Sequence, residues 1–254
     1  MRRLLIIGIG AGDPEQVTVQ AINGLNRADV FFVVDKGDDK RDLVLLRQEI
    51  CERYVRGGSY RIVLIPEPER DRSAPAYREA VERWRGERAA LWSRVIRDEL
   101  ADGGCGALLV WGDPGLYDST LAIVEEIAAG LGPGELDYEV IPGISSVQSL
   151  AARHRVSLTR VGRPLHITTG RRLAAEGFPG HCDDVVVMLD AHCSFAGVDP
   201  GTDIYWGAYL GTKDEILVSG TVGEVGARIE AARGEARARK GWIMDTYLLR
   251  RPAP

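Results

Sequence analysis

Leu4-Leu5-Ile6-Ile7-Gly8-Ile9-Gly10-Ala11-Gly12-Asp13-Pro14 is an apolar run that empties into a glycine-rich turn. Ala107-Leu108-Leu109-Val110-Trp111-Gly112-Asp113-Pro114 repeats the pattern further along the chain. Short continuous apolar runs read as strands covered on both faces. A glycine turn after such a strand usually cradles a phosphate with its backbone N–H groups. Here each turn closes on Asp-Pro. The aspartate sets a negative charge where a pyrophosphate would lie, and the proline removes one N–H donor. These loops suit a nucleoside that carries no phosphate.

Outward from the two turns, strand-like and helix-like segments alternate. Strands are expected at 4–9, 30–35, 61–66, 107–111 and 138–141, with helices at 15–27, 41–55, 76–102 and 116–129. Such alternation makes a parallel sheet with helices on both faces. Ligands of these sheets sit beyond the carboxyl ends of the strands, the edge that carries both Gly-Asp-Pro turns and Asp35. Ile141-Pro142-Gly143-Ile144-Ser145-Ser146 reads as a linker with a serine cap for a helix over 147–154. Beyond it, strands at 165–169, 185–190, 203–208, 215–219 and 242–248 have fewer helices between them, the texture of a mixed sheet. The fold class is therefore α/β, with an N-terminal parallel-sheet domain over 1–142 and a C-terminal mixed-sheet domain over 145–254. A ligand cleft between the two is expected.

Composition narrows the partners. The 254 residues are 45% hydrophobic and 27% charged, enough apolar material for two cores. A net charge of -5 argues against bulk nucleic-acid or anionic-membrane binding. Arginine far outnumbers lysine, which a GC-rich genome explains and which also suits carboxylate-rich ligands. Cys51, Cys105, Cys182 and Cys193 form no Cys-x-x-Cys pair, and no charged-then-apolar leader opens the chain. Both point to a reducing, cytoplasmic setting, and no apolar stretch is long enough to span a bilayer. Tyr77, Val81, Trp84, Leu91 and Val95 follow helical spacing through an Arg/Trp-rich segment, read as an amphipathic helix rather than an RNA-stacking surface.

Three chemistries fit poorly. A dinucleotide fingerprint has Gly8 and Gly10 in place, but its third glycine position holds Asp13. His181-Cys182 and His192-Cys193 bracket a strand, yet adjacent side chains on extended backbone point to opposite faces, so no metal is expected. No Gly-x-Ser-x-Gly elbow or activated cysteine is evident.

The first loop, Gly112-Asp113-Pro114-Gly115-Leu116-Tyr117, Ile141-Pro142-Gly143-Ile144-Ser145-Ser146 and Ser219-Gly220-Thr221-Val222 together resemble the tetrapyrrole (corrin/porphyrin) methylases. The four motifs stand in that family's order across nearly the whole chain. The resemblance implies a homodimeric methyltransferase that takes S-adenosylmethionine in a cleft between two α/β domains. It implies a cofactor site made by Pro14, Gly112, Asp113, Tyr117, Ser145, Ser146, Met188, Ala208, Tyr209 and Leu210. Trp206-Gly207-Ala208-Tyr209-Leu210-Gly211-Thr212 departs from the family's usual pattern. The run from Val110 to Thr120 looks like the subgroup that methylates carbon 1 of precorrin-5 with loss of acetate. A sister enzyme acting on another ring carbon, and more remotely a dinucleotide-dependent oxidoreductase, stand as alternatives.

The charges fit that implication. A sulfonium and an ammonium are drawn to Asp113, and glycines let the backbone approach a cofactor closely. Methyl transfer needs positioning more than acid–base groups. Acetyl loss needs a base, for which Asp35, Tyr117 and Asp118 are candidates near the strand ends. The substrate's carboxylate arms call for cations, and Lys36, Arg163, Arg171 and Arg172 are placed to supply them.

Overall fold

The computed structural model describes residues 1–35, 41–57, 60–66, 68 and 77–252. The chain divides into two compact units. One comprises Met1–Gly10 and Pro14–Ile144, the other Ala11–Asp13 and Ser145–Pro254.

Five parallel strands build the first unit: β1 (Arg2–Gly8), β2 (Val30–Asp35), β3 (Arg61–Pro66), β4 (Cys105–Val110) and β5 (Leu136–Ile141), in the order β3-β2-β4-β1-β5. Between them run α1 (Val19–Leu25), α2 (Arg41–Tyr54), α3 (Tyr77–Glu99) and α4 (Thr120–Gly130). Because successive side chains of a strand point to opposite faces, the apolar runs divide into two cores. Leu4, Ile6, Phe32, Leu108 and Val110 pack with Trp92 and Ile96 of α3 and Ile123 and Ile127 of α4. Leu5, Ile7, Phe31, Ala107 and Leu109 pack with Ala21 and Leu25 of α1 and Ile50 and Cys51 of α2. Each large side chain buried this way contributes about 1.5–3 kcal/mol, so neither face could be left to water. The Arg/Trp-rich helix follows the same logic. Trp92 is its fully buried aromatic, and Trp84 is only partly covered.

The second unit carries β6 (Leu165–Thr169), β7 (Asp184–Met188), β8 (Asp203–Ala208), β9 (Ile216–Thr221) and β10 (Asp245–Arg250) in the order β6-β7-β10-β8-β9. Only β6 and β7 are parallel; the other three pairings are antiparallel. Its helices are α5 (Ser146–His154), α6 (Gly170–Glu176) and α7 (Val222–Lys240).

Several expected boundaries move, each for a local reason. The helix expected at 116–129 begins at Thr120, because Tyr117 takes a left-handed φ of 52° that a helix cannot include. The strand expected to reach Asp190 stops at Met188, where Leu189 turns to a φ of 53°. The helix expected at 15–27 becomes a 3-10 turn over Pro14–Gln16 followed by α1, with Thr18 as its N-cap. The 19-residue α7 has no counterpart in the sequence reading. Its buried stripe is Val222, Val225, Gly226, Ile229, Arg233 and Ala236, helical in spacing but diluted by a glycine and an arginine.

Candidate functional site

Strand order locates the site in the first unit. From β1 the chain crosses to β2, and from β4 it crosses to β5, on opposite sides of the adjacent pair β1–β4. That reversal is a topological switch point, the place where such sheets open a crevice beyond their carboxyl ends. The two Gly-Asp-Pro turns leave from these two strands. They are tied together by hydrogen bonds between Gly10 and Gly112, at 3.3 Å from the Gly10 N–H and 2.8 Å from the Gly112 N–H.

The junction is packed backbone on backbone. A Cβ on Gly8 would lie 2.5 Å from the Gly143 nitrogen and 2.9 Å from the Gly112 carbonyl oxygen. Gly112 also needs its φ of 73°, which glycine adopts without strain. Asp113 locks the arrangement: Gly115 N–H donates to its Oδ1 at 2.8 Å and Gly143 N–H donates to its Oδ2 at 2.9 Å. Two backbone N–H groups of the loops after β4 and β5 are thus already satisfied by a carboxylate. Asp113 is therefore a clasp between the loops after β4 and β5, and the cap position of α4 belongs to Ser119.

Pro14 opens its 3-10 turn and accepts the Tyr54 hydroxyl at 2.9 Å. Tyr117 is 46% exposed in its left-handed conformation. Such a conformation in a bulky residue is a recurrent mark of ligand sites. Asp118 accepts the Thr120 N–H at 2.6 Å, tying it to the start of α4. Asp35 ends β2, but its side chain and the whole of Lys36 lie outside the described residues.

In the second unit, one end of the sheet gathers most of the expected residues. Met188 pairs with Thr246, and Thr246 with Gly207, so the ends of β7, β10 and β8 lie side by side. Ser146 reaches the same edge through a 3.2 Å hydrogen bond between its hydroxyl and that of Thr246. Ser145 is buried and caps α5 in a reciprocal box with Gln148. Ala208, Tyr209 and Leu210 follow β8 and are buried. The Tyr209 hydroxyl donates to the Trp242 carbonyl at 2.6 Å, inside the unit's own core. With the side chain so engaged, Tyr209 can line a ligand only with its backbone, which a φ of 49° turns away from the strand path.

The arginines separate. Arg171 and Arg172 begin α6 directly after β6, at the Met188 end of the sheet. Arg172 lies 2.9 Å from Glu176 on the same exposed helix. Arg163 precedes β6 and sits 3.8 Å from Asp183, which precedes β7, at the other end of those strands from Met188.

Sequence reading missed the support behind this edge. Asp190 is 4% exposed and accepts four hydrogen bonds: from His192 N–H, Ser194 N–H, the Ser194 hydroxyl and, at 2.7 Å, the Tyr247 hydroxyl. Burial alone would raise its pKa, but the four donors outweigh it and hold the carboxyl below its ordinary range. Arg233 donates to the Asp190 carbonyl at 2.6 Å and to Asp245 at 3.0 Å, and Trp206 donates to the same Asp245 oxygen at 3.0 Å. Gly170 is part of the fit, because a Cβ there would collide with the Asp190 carboxyl. The partners lie on five different elements, so only a signal spanning the whole domain could have found them.

Comparison with known proteins defines the class. The model of the tetrapyrrole (corrin/porphyrin) methylases matches residues 3–226, and the chain belongs to that family of S-adenosylmethionine-dependent methyltransferases. It is 51% identical over 254 residues to a Sinorhizobium precorrin-6A synthase [deacetylating], covering 100% of this chain and 97% of that one. A crystal structure described as a cobalamin synthesis related protein (CobF) from Corynebacterium diphtheriae superposes with a TM-score of 0.83 at 41% identity, over 98% of each chain. A Thermus thermophilus uroporphyrin-III C-methyltransferase complexed with S-adenosylhomocysteine shares the fold at 21% identity and a TM-score of 0.56, over 97% of this chain and 91% of that one.

Proposed function

We propose that this chain is a methyltransferase of cobalamin biosynthesis that methylates carbon 1 of precorrin-5 and releases acetate, giving precorrin-6A. The observation that carries the reading is the Asp113 clasp at the switch point. Its carboxylate stands among the glycines of the loops after β4 and β5, a setting that favours a cationic, phosphate-free nucleoside over a pyrophosphate. The full-length similarity to a deacetylating precorrin-6A synthase supports the same choice over a sister methylase.

S-adenosylmethionine supplies an electrophilic methyl group on a sulfonium. Pro14, Gly112, Asp113 and Tyr117 of the first unit would hold it, together with Ser145, Ser146, Met188, Ala208, Tyr209 and Leu210 of the second. The glycines permit close backbone approach, and Asp113 offers negative charge. Positioning two bound reactants can supply about 7–11 kcal/mol of a barrier, so methyl transfer itself needs no acid–base group. Acetyl loss requires water directed at a carbonyl. Tyr117 and Asp118 are the described candidates to assist it, and Asp35 is the third. Arg171, Arg172 and Lys36 are assigned to the substrate's carboxylates. An exposed pair such as Arg172–Glu176 is weak and can exchange for a ligand carboxylate at little cost.

We further infer a cytoplasmic homodimer. The cysteines of the structure are all free, as a reducing compartment requires, and no helix among the described residues is long and apolar enough to cross a membrane. Light scattering coupled to size exclusion checks the dimer.

The decisive experiment is an anaerobic incubation with enzymatically prepared precorrin-5 and methyl-labelled S-adenosylmethionine. Label in the macrocycle with stoichiometric free acetate is expected. Label without acetate would move the enzyme to another ring carbon. Neither signal, from folded protein, would overturn the reading.

A further inference from the structure

Beside the switch point, the first unit contains a small, partly enclosed cavity of about 50 Å³ that extends from Asp118 to the two arginines Arg47 and Arg88. Its floor is the end of β4, Leu108 to Val110, with Phe32 and Val34 of β2. Its polar groups are Arg47 from α2, Arg88 from α3, and Asp118, Ser119 and Thr120 at the entry to α4.

The two arginines are held in different ways. Arg88 is 4% exposed, and its guanidinium is stacked against two indoles, 4.6 Å from the Trp84 ring centre and 4.8 Å from that of Trp92. Cation–π contact fixes its plane. One edge then meets the Ser119 hydroxyl at 2.9 Å. Arg47 donates to two neutral acceptors, the Leu109 carbonyl at 3.0 Å and the Leu43 carbonyl at 2.7 Å. No carboxylate lies within ion-pair distance of it among the described residues; Asp118 acts on it only at longer range. Burial pulls its pKa down to about 10, with Asp118 opposing, so it remains cationic at neutral pH. A desolvated guanidinium satisfied by carbonyls alone carries an uncompensated charge, and an anion is the natural complement. A guanidinium fork matches a planar carboxylate best.

We propose that Arg47 and Arg88 line a pocket that binds an alkyl carboxylate beside the methyl-transfer site. The assignment rests on the function proposed above, because that reaction presents such a group in two ways: as a carboxylate arm of the tetrapyrrole, or as the acetate set free. Either source places the pocket in the reaction, the first as a specificity determinant and the second as a product site.

Sodium acetate labelled with carbon-13, titrated against sodium chloride at equal ionic strength and followed by NMR line width, tests the pocket without turnover. The wild-type protein should bind acetate. Arg47→Gln should weaken it at least about tenfold, equivalent to about 1.4 kcal/mol, and Arg47→Lys should lie between the two. Circular dichroism and S-adenosylhomocysteine affinity establish that each variant is folded. Steady-state kinetics then separate the sources. If an arm of the substrate docks here, Arg47→Gln raises the KM for precorrin-5 about tenfold or more with little change in kcat. If released acetate docks here, added acetate inhibits the wild type and the inhibition disappears in the variant. Absence of salt-independent acetate binding together with an unchanged KM in folded Arg47→Gln would overturn the proposal. So would wild-type protein that neither binds acetate nor is inhibited by it, should Arg47→Gln fail to fold. A wild type that binds acetate but transfers no methyl group to precorrin-5 would refute the proposed function and leave the pocket standing.

Discussion

Two regions of this molecule hold loops at strand ends, and they do so by opposite means. In the first unit, Gly8, Gly112 and Gly143 press backbone against backbone, with Asp113 as the one polar clasp. In the second, the turn after β7 is held by a buried web of Asp190, Ser194, Tyr247, Arg233 and Asp245. The first device works by excluding side chains and the second by satisfying charged ones. A junction of glycines has no tolerance, because nothing in it can rotate out of the way. A polar web depends instead on every donor and acceptor being matched. The two should therefore fail differently, under different substitutions and at different pH.

The sharpest break of the comparison is Gly8→Ala. Its new methyl would meet backbone atoms at 2.5 to 2.9 Å, and backbone cannot yield as a flexible side chain can. We expect a loss at or beyond the top of the ~1–3 kcal/mol usual for overpacking, read as a fall in the urea midpoint, with S-adenosylhomocysteine binding abolished. Retained binding with an unchanged midpoint would mean that the glycine junction is not what shapes the crevice.

Asp190→Asn probes the other device. Hydrogen bonds to a charged group are worth about 1.5–3 kcal/mol each, and an amide cannot accept four, so a loss of about 3 kcal/mol is expected. The pH dependence gives the sign. The native carboxyl titrates below its unfolded value, so its contribution is complete above the unfolded pKa and is lost as pH falls through the native one. Asp190→Asn should therefore flatten the acid limb of the stability profile. An acid limb as steep as that of the wild type would assign it to other carboxylates.

The alkaline end has its own probe in the first unit, although the second unit's Cys193 and Tyr247, also shifted up by burial, contribute there too. Burial, reinforced by Glu52, pushes the Cys51 thiol up to about 12, so it stays neutral in the folded chain. The unfolded thiol ionises near its ordinary value of about 8.5. Stability is then lost as pH rises above that value, by up to about 1.4 kcal/mol per pH unit, or roughly 2 kcal/mol at pH 10. Cys51→Ala should reduce this slope, leaving the smaller share of Cys105 and Cys193, whose thiols burial also pushes up, at the expense of a small packing loss. Thermal melts between pH 7 and pH 10 decide it.

The same contrast explains what could be read from the chain. The first unit is legible nearly throughout, since its strands are continuous apolar runs and its candidate site residues include consecutive ones such as Gly112 and Asp113. The phosphate-free character of the ligand followed from two Asp-Pro steps alone. In the second unit, Met188 and Ser146 are expected at the cofactor only through family resemblance, and their approach to one another at Thr246 depends on the order of three strands. Arg163 lies close to Thr169 in sequence, yet the strand between them sets the two at opposite ends of the sheet. The helix α7 escaped notice because Arg233, which any hydropathy pattern scores as surface, is a buried member of the polar web.

The smallest effect is the most direct probe of function. Tyr117 holds a φ of 52° directly beyond the glycine junction, and 46% of it is exposed. A left-handed non-glycine residue costs of order 1 kcal/mol or more, and glycine would relieve it at some expense in unfolded-state entropy. Tyr117→Gly should thus raise the stability of the free protein by a few tenths to about 1 kcal/mol, while methyl transfer falls. Tyr117→Phe separates the two uses of the side chain. If the ring only packs against the ligand, acetate release proceeds at the wild-type rate. If the hydroxyl assists acetyl loss, acetate release slows while S-adenosylhomocysteine affinity holds. Should Tyr117→Gly be destabilised instead, the strain has a structural purpose within the loop, and the contrast between a rigid junction and a strained but functional neighbour would have to be abandoned.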